Sequence, residues 1–466
     1  MVNNAALSIR ENKRRELILH GNLWKTVLWI TTPLAIYALF NYLYGFIDFL
    51  LVSLISSDDV AAIFFVDDIK GAISAIGGGI AIGGAVFVAR NYGAGDFDSA
   101  RKYAAQTLIM ATIVSGIFAA IMMIFAVPIL KLLNAPQAII DIGLGYYLVQ
   151  MFVTIIIAVN SVYMGIERSK GNTTMVMLMN VVAIVIKLIF SLLFILVFNK
   201  GTIYVAIATL IAQAFLMILG MIILFSPKNS IAIRGIDLSI DLKMMKSIMW
   251  VALPVIGGKF LFSLGRVIVN GIAAVYGTLA IAAFGLASKL VGSAGAVAVI
   301  FEESVASISS QNIGAGNLKR AFKTYGVANI LSVLIGFIGM GIIVLSVDKM
   351  IPWFTSNSSP EFAALIKSIF NFEKFSIVTG ATAGIVAGVF IGFKITKVTL
   401  ILNVIRIYVF RIPALLLLLH FGVGPIALGY VMFISNTGTA IVALFLIFMF
   451  YRRVRNFGYL DMRLMD

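Results

Sequence analysis

Charged side chains stand inside stretches of this chain that are otherwise apolar. In the first half these are the acids Asp48, Asp67 and Asp68, with Lys70 close by, and the base Lys187. If these stretches cross a membrane, each charge costs about 2.5–3.5 kcal/mol at mid-bilayer on insertion scales, so such residues usually face a cavity and have a function. The acids therefore predict a cation or proton site. Lys187 is either a counter-ion to Asp48 or a substrate contact, and Asp67 and Asp68 also lie near enough to a helix end to reach the membrane surface.

The charges inside the second half are mainly basic. The candidate cavity residues there are Lys259, Arg266, Lys289, Glu373 and Lys374. Basic side chains around a cavity suit a phosphate group and would repel an organic cation. That argument lapses if the bases instead pair with Glu373 and its neighbours. Glu302 and Glu303 lie near the cytoplasmic end of an apolar stretch, where we expect them to form ion pairs with bases at a rim or gate. Arg406 and Arg411 are either structural anchors or substrate ligands.

Composition decides that these stretches do lie in a membrane. The chain has 466 residues, of which 61% are hydrophobic and 12% charged, and its mean hydropathy is +1.06. Many apolar runs exceed the ~20 residues that a spanning helix needs. We expect an all-α polytopic membrane protein with twelve spans, near residues 24–54, 60–89, 104–131, 139–165, 174–198, 203–226, 246–276, 280–311, 324–347, 362–391, 397–420 and 424–451.

The charges in the loops alternate between basic and nearly neutral or acidic along the chain. By the positive-inside rule both termini are cytoplasmic, as an even number of spans requires. The net charge of +15 is then explained by loops that set topology, and no nucleic acid is expected as a partner.

Several catalytic classes find no support in the residues. The chain has no cysteine and only two histidines, and neither a P-loop nor an H-E-x-x-H motif occurs. We therefore expect no enzyme, no cofactor and no direct use of ATP.

The chain contains an internal duplication. The segment Asn91-Tyr92-Gly93-Ala94-Gly95 recurs 221 residues later as Asn312-Ile313-Gly314-Ala315-Gly316, and the same offset relates Pro33 to Pro254. A shared offset at two distant landmarks predicts two homologous six-helix lobes in the same orientation. We place them at residues 1–226 and 246–466, joined by a cytoplasmic linker at 227–245.

These landmarks resemble the multidrug and toxic compound extrusion (MATE) family over nearly the whole chain. The resemblance is carried by Gly21-Asn22, by Thr32-Pro33-Leu34, by Tyr44, Ile47 and Asp48, by both copies of the duplicated segment, by Arg168 with Gly171-Asn172-Thr173, and by Arg411-Ile412-Pro413. It implies two six-helix lobes around a central cavity and export driven by Na⁺ or H⁺.

In this resemblance Asp48 matches the cation-site aspartate of the first helix. Tyr44, one turn before it, is a candidate for the lining of the substrate cavity. Many members carry Asn-x-x-x-Asp on span five, where this chain has Lys187 and Ser191. A lysine ammonium beside Asp48 would occupy the place of a bound cation, which argues against Na⁺ at Asp48. We therefore expect an Asp48–Lys187 ion pair that is broken when Asp48 is protonated, giving H⁺ coupling.

The expected function is antiport that exports amphipathic organic cations by alternating access, from a monomer in the cell membrane among its lipids. The alternative is a flippase for an anionic lipid-linked precursor, which the basic residues of the second half would suit.

Overall fold

A computed structural model describes residues 7–53, 57–132, 137–355 and 360–457. These residues form α-helices and no strand. The helices, in chain order, are α1 (Ile9–His20), α2 (Leu23–Ser53), α3 (Ser57–Ala94), α4 (Phe97–Ile124), α5 (Ala126–Leu132), α6 (Gln137–Ser169), α7 (Thr173–Leu192), α8 (Thr202–Phe225), α9 (Leu242–Ala273), α10 (Thr278–Val299), α11 (Phe301–Gly314), α12 (Leu318–Thr355), α13 (Pro360–Glu373), α14 (Ser376–Gly392), α15 (Lys397–Val404), α16 (Ile412–His420) and α17 (Ala427–Phe457).

The number of candidate spans agrees with the prediction from sequence. Within the described residues, eleven spans are long and apolar enough to cross a membrane, and α13 and α14, bent by 40°, form a twelfth if the pair counts as one. The predicted all-α polytopic fold is confirmed. Some spans consist of two consecutive helices, such as α10 and α11, which meet at Ile300.

Prolines lie inside the first span of each half, Pro33 in α2 and Pro254 in α9. Membrane helices tolerate such prolines because neighbouring groups satisfy the freed carbonyl. Both copies of the duplicated segment also end a helix with a glycine in the left-handed region, at φ +81° for Gly95 and +79° for Gly316. Glycine adopts this conformation without a Cβ clash, so the two copies stop α3 and α11 in the same way.

The chain divides into two compact units. Unit 1 comprises the chain up to Gly21, Thr32–Ile256 and Ser310–Gly316; unit 2 comprises Asn22–Thr31, Gly257–Ser309 and the chain from Asn317 onward. The second copy of the duplicated segment thus packs within unit 1. The lobe boundaries at 1–226 and 246–466 stay a prediction.

Each unit has its own apolar core. In unit 1 one core cluster joins α3, α4, α6 and α8 with the linker, and another lies around Tyr146, Tyr147 and Met151 of α6. In unit 2 the core joins α9, α10, α12 and α13. Glycines allow close approach in places: a Cβ at Gly84 of α3 would overlap the side chain of Thr107 in α4, as is common where membrane helices touch through small residues.

Candidate coupling site

Asp48 and Lys187 form an ion pair in unit 1. The Lys187 Nζ atom lies 3.1 Å from Asp48 Oδ2, and the side chains of Asp48 and Lys187 are 25% and 19% exposed. The pair joins α2 to α7 across 139 residues of sequence. The contact expected from the sequence is therefore present, and its part in ion coupling stays a prediction.

Tyr44 completes the surroundings of this pair. Its hydroxyl donates a hydrogen bond to Asp48 Oδ1, and the Lys187 ammonium lies 4.7 Å from the centre of its ring. Tyr44 and Asp48 are four residues apart and so share a face of α2. A cation over an aromatic ring is attracted to it, most strongly where water is excluded. Tyr44 thus contacts both members of the pair and restricts their geometry.

Ser191 lies one turn beyond Lys187 on α7. It is fully buried, and its hydroxyl lies beside Tyr44. A π-helical turn, Leu193–Val197, begins two residues later. Turns of this kind are rare and frequently lie at functional sites. The four residues Tyr44, Asp48, Lys187 and Ser191 are therefore brought together, and their part in coupling or substrate binding stays a prediction.

A second acid–base pair lies in the same unit. Lys70 Nζ is 2.6 Å from Asp67 Oδ1 on α3, and the hydroxyl of Tyr146 on α6 donates to the same oxygen over 3.1 Å. Tyr146 also lies close enough to Asp48 to interact with it electrostatically. The hydroxyl of Tyr146 therefore binds one of the two acids and lies near the other. The side chain of Asp68 lies outside the described part of the structure.

Sequence reasoning missed Tyr146. It lies in an aromatic Tyr146-Tyr147 pair within an apolar run, where such residues usually belong to the core. Its partner Asp67 is 79 residues away, so no local pattern joins them. Gln150, one turn further along α6, contacts the Tyr146 hydroxyl and is also buried.

The charges of unit 2 surround two acids, and Arg411 links the two surroundings because it also interacts electrostatically with Arg406. Glu373 is buried, accepts a hydrogen bond of 2.8 Å from the Ser288 hydroxyl, and interacts electrostatically with Arg411. Glu302 interacts in the same way with Lys259 and Arg406. Both acids therefore have basic neighbours.

The remaining candidates of unit 2 do not gather around one point. The Lys374 ammonium turns to the Asn371 side chain at 3.3 Å and to the ring of Phe375, although its neighbour Glu373 points into the core. Arg266 and Lys289 are exposed on their helices. A π-helical turn, Ile405–Arg411, carries both Arg406 and Arg411, and Arg411 donates from Nε to the Ser435 hydroxyl over 3.1 Å.

Among the described residues, no group of three or more His, Asp or Glu side chains is arranged to hold a metal ion. Around Asp48 the cationic partner is the Lys187 ammonium itself. In this arrangement the Asp48 carboxylate can bind and release a proton while the Lys187 ammonium stays beside it.

Comparisons with known proteins agree on one family. A family model described as MatE matches the chain twice, over residues 33–193 and 254–417, more than half of its length. The two matches start at the prolines that the internal repeat relates. The multidrug export protein MepA of Staphylococcus haemolyticus is 21% identical over 360 residues, which cover 77% of this chain and 79% of MepA.

Solved structures share the fold. A multidrug resistance MATE family transporter of the MOP superfamily, solved in an outward-facing conformation, superposes with a TM-score of 0.90 at 21% identity, covering 95% of this chain and 98% of that one. A MOP superfamily transporter from Pyrococcus furiosus, described as having a binding pocket of reverse polarity that suggests a different function, gives 0.90 at 21% identity, with 97% and 100% covered.

Proposed function

Because the chain belongs to the MatE family of multidrug transporters, we propose that it exports amphipathic organic cations in exchange for protons. At the level of the family it is a multi-pass membrane transporter and not an enzyme, and its substrates are small molecules. The choice of the proton rests on one observation, the Lys187 ammonium 3.1 Å from Asp48.

A coupling site must bind and release its ion, and Lys187 decides which ion Asp48 can bind. A sodium ion at Asp48 would have to share the carboxylate with a positive charge that is already present, and like charges at short range repel. A proton needs no such room, since it binds to the carboxylate oxygen itself. Protonation of Asp48 removes the attraction for Lys187 and thereby frees α7 from α2.

Asp67 offers a second proton acceptor in the same unit. Its carboxylate forms an ion pair with Lys70 and accepts a hydrogen bond from the Tyr146 hydroxyl. We assign it to proton coupling together with Asp48. The Tyr146 hydroxyl interacts electrostatically with both Asp67 and Asp48.

The alternative of a flippase for an anionic lipid-linked precursor depended on unpaired bases in the second half. Lys259 and Arg406 lie near Glu302, and Arg411 lies near Glu373. Of the bases behind the flippase argument, Lys259 has an acidic neighbour, so the argument from positive charge lapses for Lys259. We retain drug export as the proposed function.

We further propose that the protein works as a monomer in the cell membrane with both termini in the cytoplasm. The even number of candidate spans, with α13 and α14 counted as one, supports this orientation. So does the basic character of the loops on one side.

Export of ethidium from proteoliposomes tests the coupling ion. We expect efflux under an imposed pH gradient and none under a sodium gradient alone. Asp48→Asn should abolish the pH-driven efflux, and the matched control Asp141→Asn, an exposed acid on α6, should retain it. Sodium-driven efflux by the unaltered protein would refute proton coupling, and efflux in neither gradient would refute the export of cations.

A further inference from the structure

The two copies of the duplicated segment touch each other within unit 1. A Cβ built on Gly93 would lie 2.6 Å from the Cα of Gln311, and one built on Gly314 would lie 2.7 Å from the carbonyl carbon of Arg90. Gly93 and Gly314 are equivalent under the 221-residue offset, and so are Arg90 and Gln311. The contact is therefore reciprocal, like the interface of a two-fold dimer.

This contact is made by backbone against backbone. Real Cβ atoms essentially never come so close to other heavy atoms, so any larger residue at Gly93 or Gly314 would force the ends of α3 and α11 apart. Close packing of this kind leaves no space for water or for a substrate.

Helix α1 lies across both copies. The Arg15 guanidinium donates to the carbonyl oxygens of Tyr92 at 3.1 Å and Gly93 at 2.8 Å. The side-chain amide of Asn312, in the second copy, donates to the carbonyl oxygen of Ile18 over 3.3 Å. Arg15 sits at the C-terminal end of α3, where the carbonyl oxygens of the last turn and the helix dipole favour a cation.

The other end of α1 is fixed to the loops of unit 1. Glu11 accepts a hydrogen bond of 2.9 Å from the Ser230 hydroxyl in the linker and lies 3.9 Å from Lys170. Ser8 caps the helix and exchanges hydrogen bonds with Glu11. Burial alone would raise the pKa of Glu11, but Lys170, Ser230 and Ser8 together lower it below its ordinary value. Glu11 is therefore held as a carboxylate at neutral pH.

From these contacts we infer that α1 is a strap that holds the contact between the two copies of the duplicated segment closed. We infer further that this contact seals the transport path on the side of unit 1 where α3 ends. The inference rests on the proposed transport function, because a path that alternates between two faces needs a closure at each. Opening on this side then requires Gly93 to part from Gln311 and Arg15 to leave the end of α3.

Because the chain has no cysteine, one introduced cysteine can report, through its rate of maleimide labelling, whether this contact is open or closed. Ser310 is 0% exposed beside the contact, so a single Ser310→Cys reporter should react slowly with a bulky maleimide in lipid nanodiscs, where both faces are accessible. Adding Arg15→Ala removes two charge-assisted hydrogen bonds and should speed labelling about tenfold, as a loss of roughly 1.4 kcal/mol predicts. The exposed Lys13→Ala on the same helix should not.

General loosening of the protein is excluded by a second reporter. Ser115→Cys on α4 is equally buried, at 2% exposure, and should stay unreactive in every variant. Gly93→Ala and Gly314→Ala should also speed labelling at Ser310→Cys. Gly78→Ala should not, since a Cβ at Gly78 on the same helix as Gly93 has nothing within 4 Å.

If Ser310→Cys reacted with maleimide at the same rate in the Arg15→Ala and Lys13→Ala variants, the strap would be overturned. The same holds if Arg15→Ala accelerated labelling of Ser115→Cys as much as labelling of Ser310→Cys. These measurements use no substrate and no gradient, so they can fail separately from the ethidium assay. Labelling that depends on Arg15, with no ethidium export, would refute the proposed export while the strap stands. In working proteoliposomes, turnover of ethidium should raise labelling at Ser310→Cys; no rise would overturn the assignment of this contact to the transport path.

Discussion

The Asp48–Lys187 pair should show a large energetic coupling in a double-mutant cycle. Two unit charges 3.1 Å apart attract each other by about 5 kcal/mol at an effective dielectric of about 20. Loss of hydration offsets much of this attraction, and the side chains are 25% and 19% exposed. Breaking a fully buried pair costs about 3–5 kcal/mol, whereas exposed pairs contribute about 0–1 kcal/mol. We therefore expect a coupling of about 2 kcal/mol, or about thirtyfold in the unfolding equilibrium.

The measurement is the free energy of unfolding in mixed detergent micelles for Asp48→Asn, Lys187→Met and the double variant. Each single change leaves one polar partner without its counterpart, so the double variant should be more stable than the sum of the two losses predicts. Transport should behave differently, because the double variant still lacks the Asp48 carboxylate, and Asp67 alone does not replace it in the proposed coupling. The double variant should regain stability without regaining pH-driven ethidium export.

The chain supplies a matched control for this cycle. Asp348 and Lys367 are closer, at 2.7 Å, but their side chains are 65% and 51% exposed. Their coupling should stay below about 1 kcal/mol because water screens them. A coupling at Asp48–Lys187 no larger than this control would refute the reasoning that partial burial makes the pair strong.

Three further predictions concern unit 1. The pKa of Glu11 is lowered from its ordinary value of 4.5, so ionised Glu11 stabilises the folded protein fully above pH 4.5, and this stabilisation is lost as the pH falls through the lowered pKa. The difference in melting temperature between the unaltered protein and Glu11→Gln should therefore narrow below about pH 4.5. The control Glu16→Gln, at an exposed position, should melt like the unaltered protein. Gly84→Ala would overlap α4 and should lower the unfolding free energy by about 1–3 kcal/mol, in contrast to Gly78→Ala; equal melting temperatures would contradict this. The Gln106 side chain hydrogen-bonds to the linker backbone, at the Ser239 carbonyl over 2.7 Å and at the Asp241 amide over 3.0 Å. Gln106→Leu should therefore speed proteolytic cleavage of the linker at least several-fold. An unchanged cleavage rate would show that these two hydrogen bonds do not hold the linker in place.

The agreement between sequence and structure is closest where the reasoning used local burial. The predicted spans match the described helices because an apolar run of sufficient length must become a helix in a bilayer, where every backbone group needs an internal partner. The pairing of Asp48 with Lys187 was also predicted, although from the family resemblance rather than from spacing. The grouping of Lys259, Arg406 and Glu302 was left open in the sequence analysis and was decided by the packing of unit 2.

Other features had no signal in the sequence. Tyr146 reaches Asp67 from a different helix, and nothing in its apolar surroundings distinguishes it from a core tyrosine. The role of α1 was equally hidden, because Arg15 is one of several bases in a segment that the positive-inside rule already explains.

The sequence by itself determined that this is a polytopic helical membrane protein, that its two halves are homologous, and which few charges lie where charges are costly. Only the tertiary structure decided that Gly93 meets Gln311 while Gly314 meets Arg90, and that Tyr146 donates a hydrogen bond to Asp67. The physical reason is that hydropathy reports how far each residue is from water, a property of its own segment. Which helix faces which depends on close packing and hydrogen bonds between segments, and these are set by residues far apart in the chain.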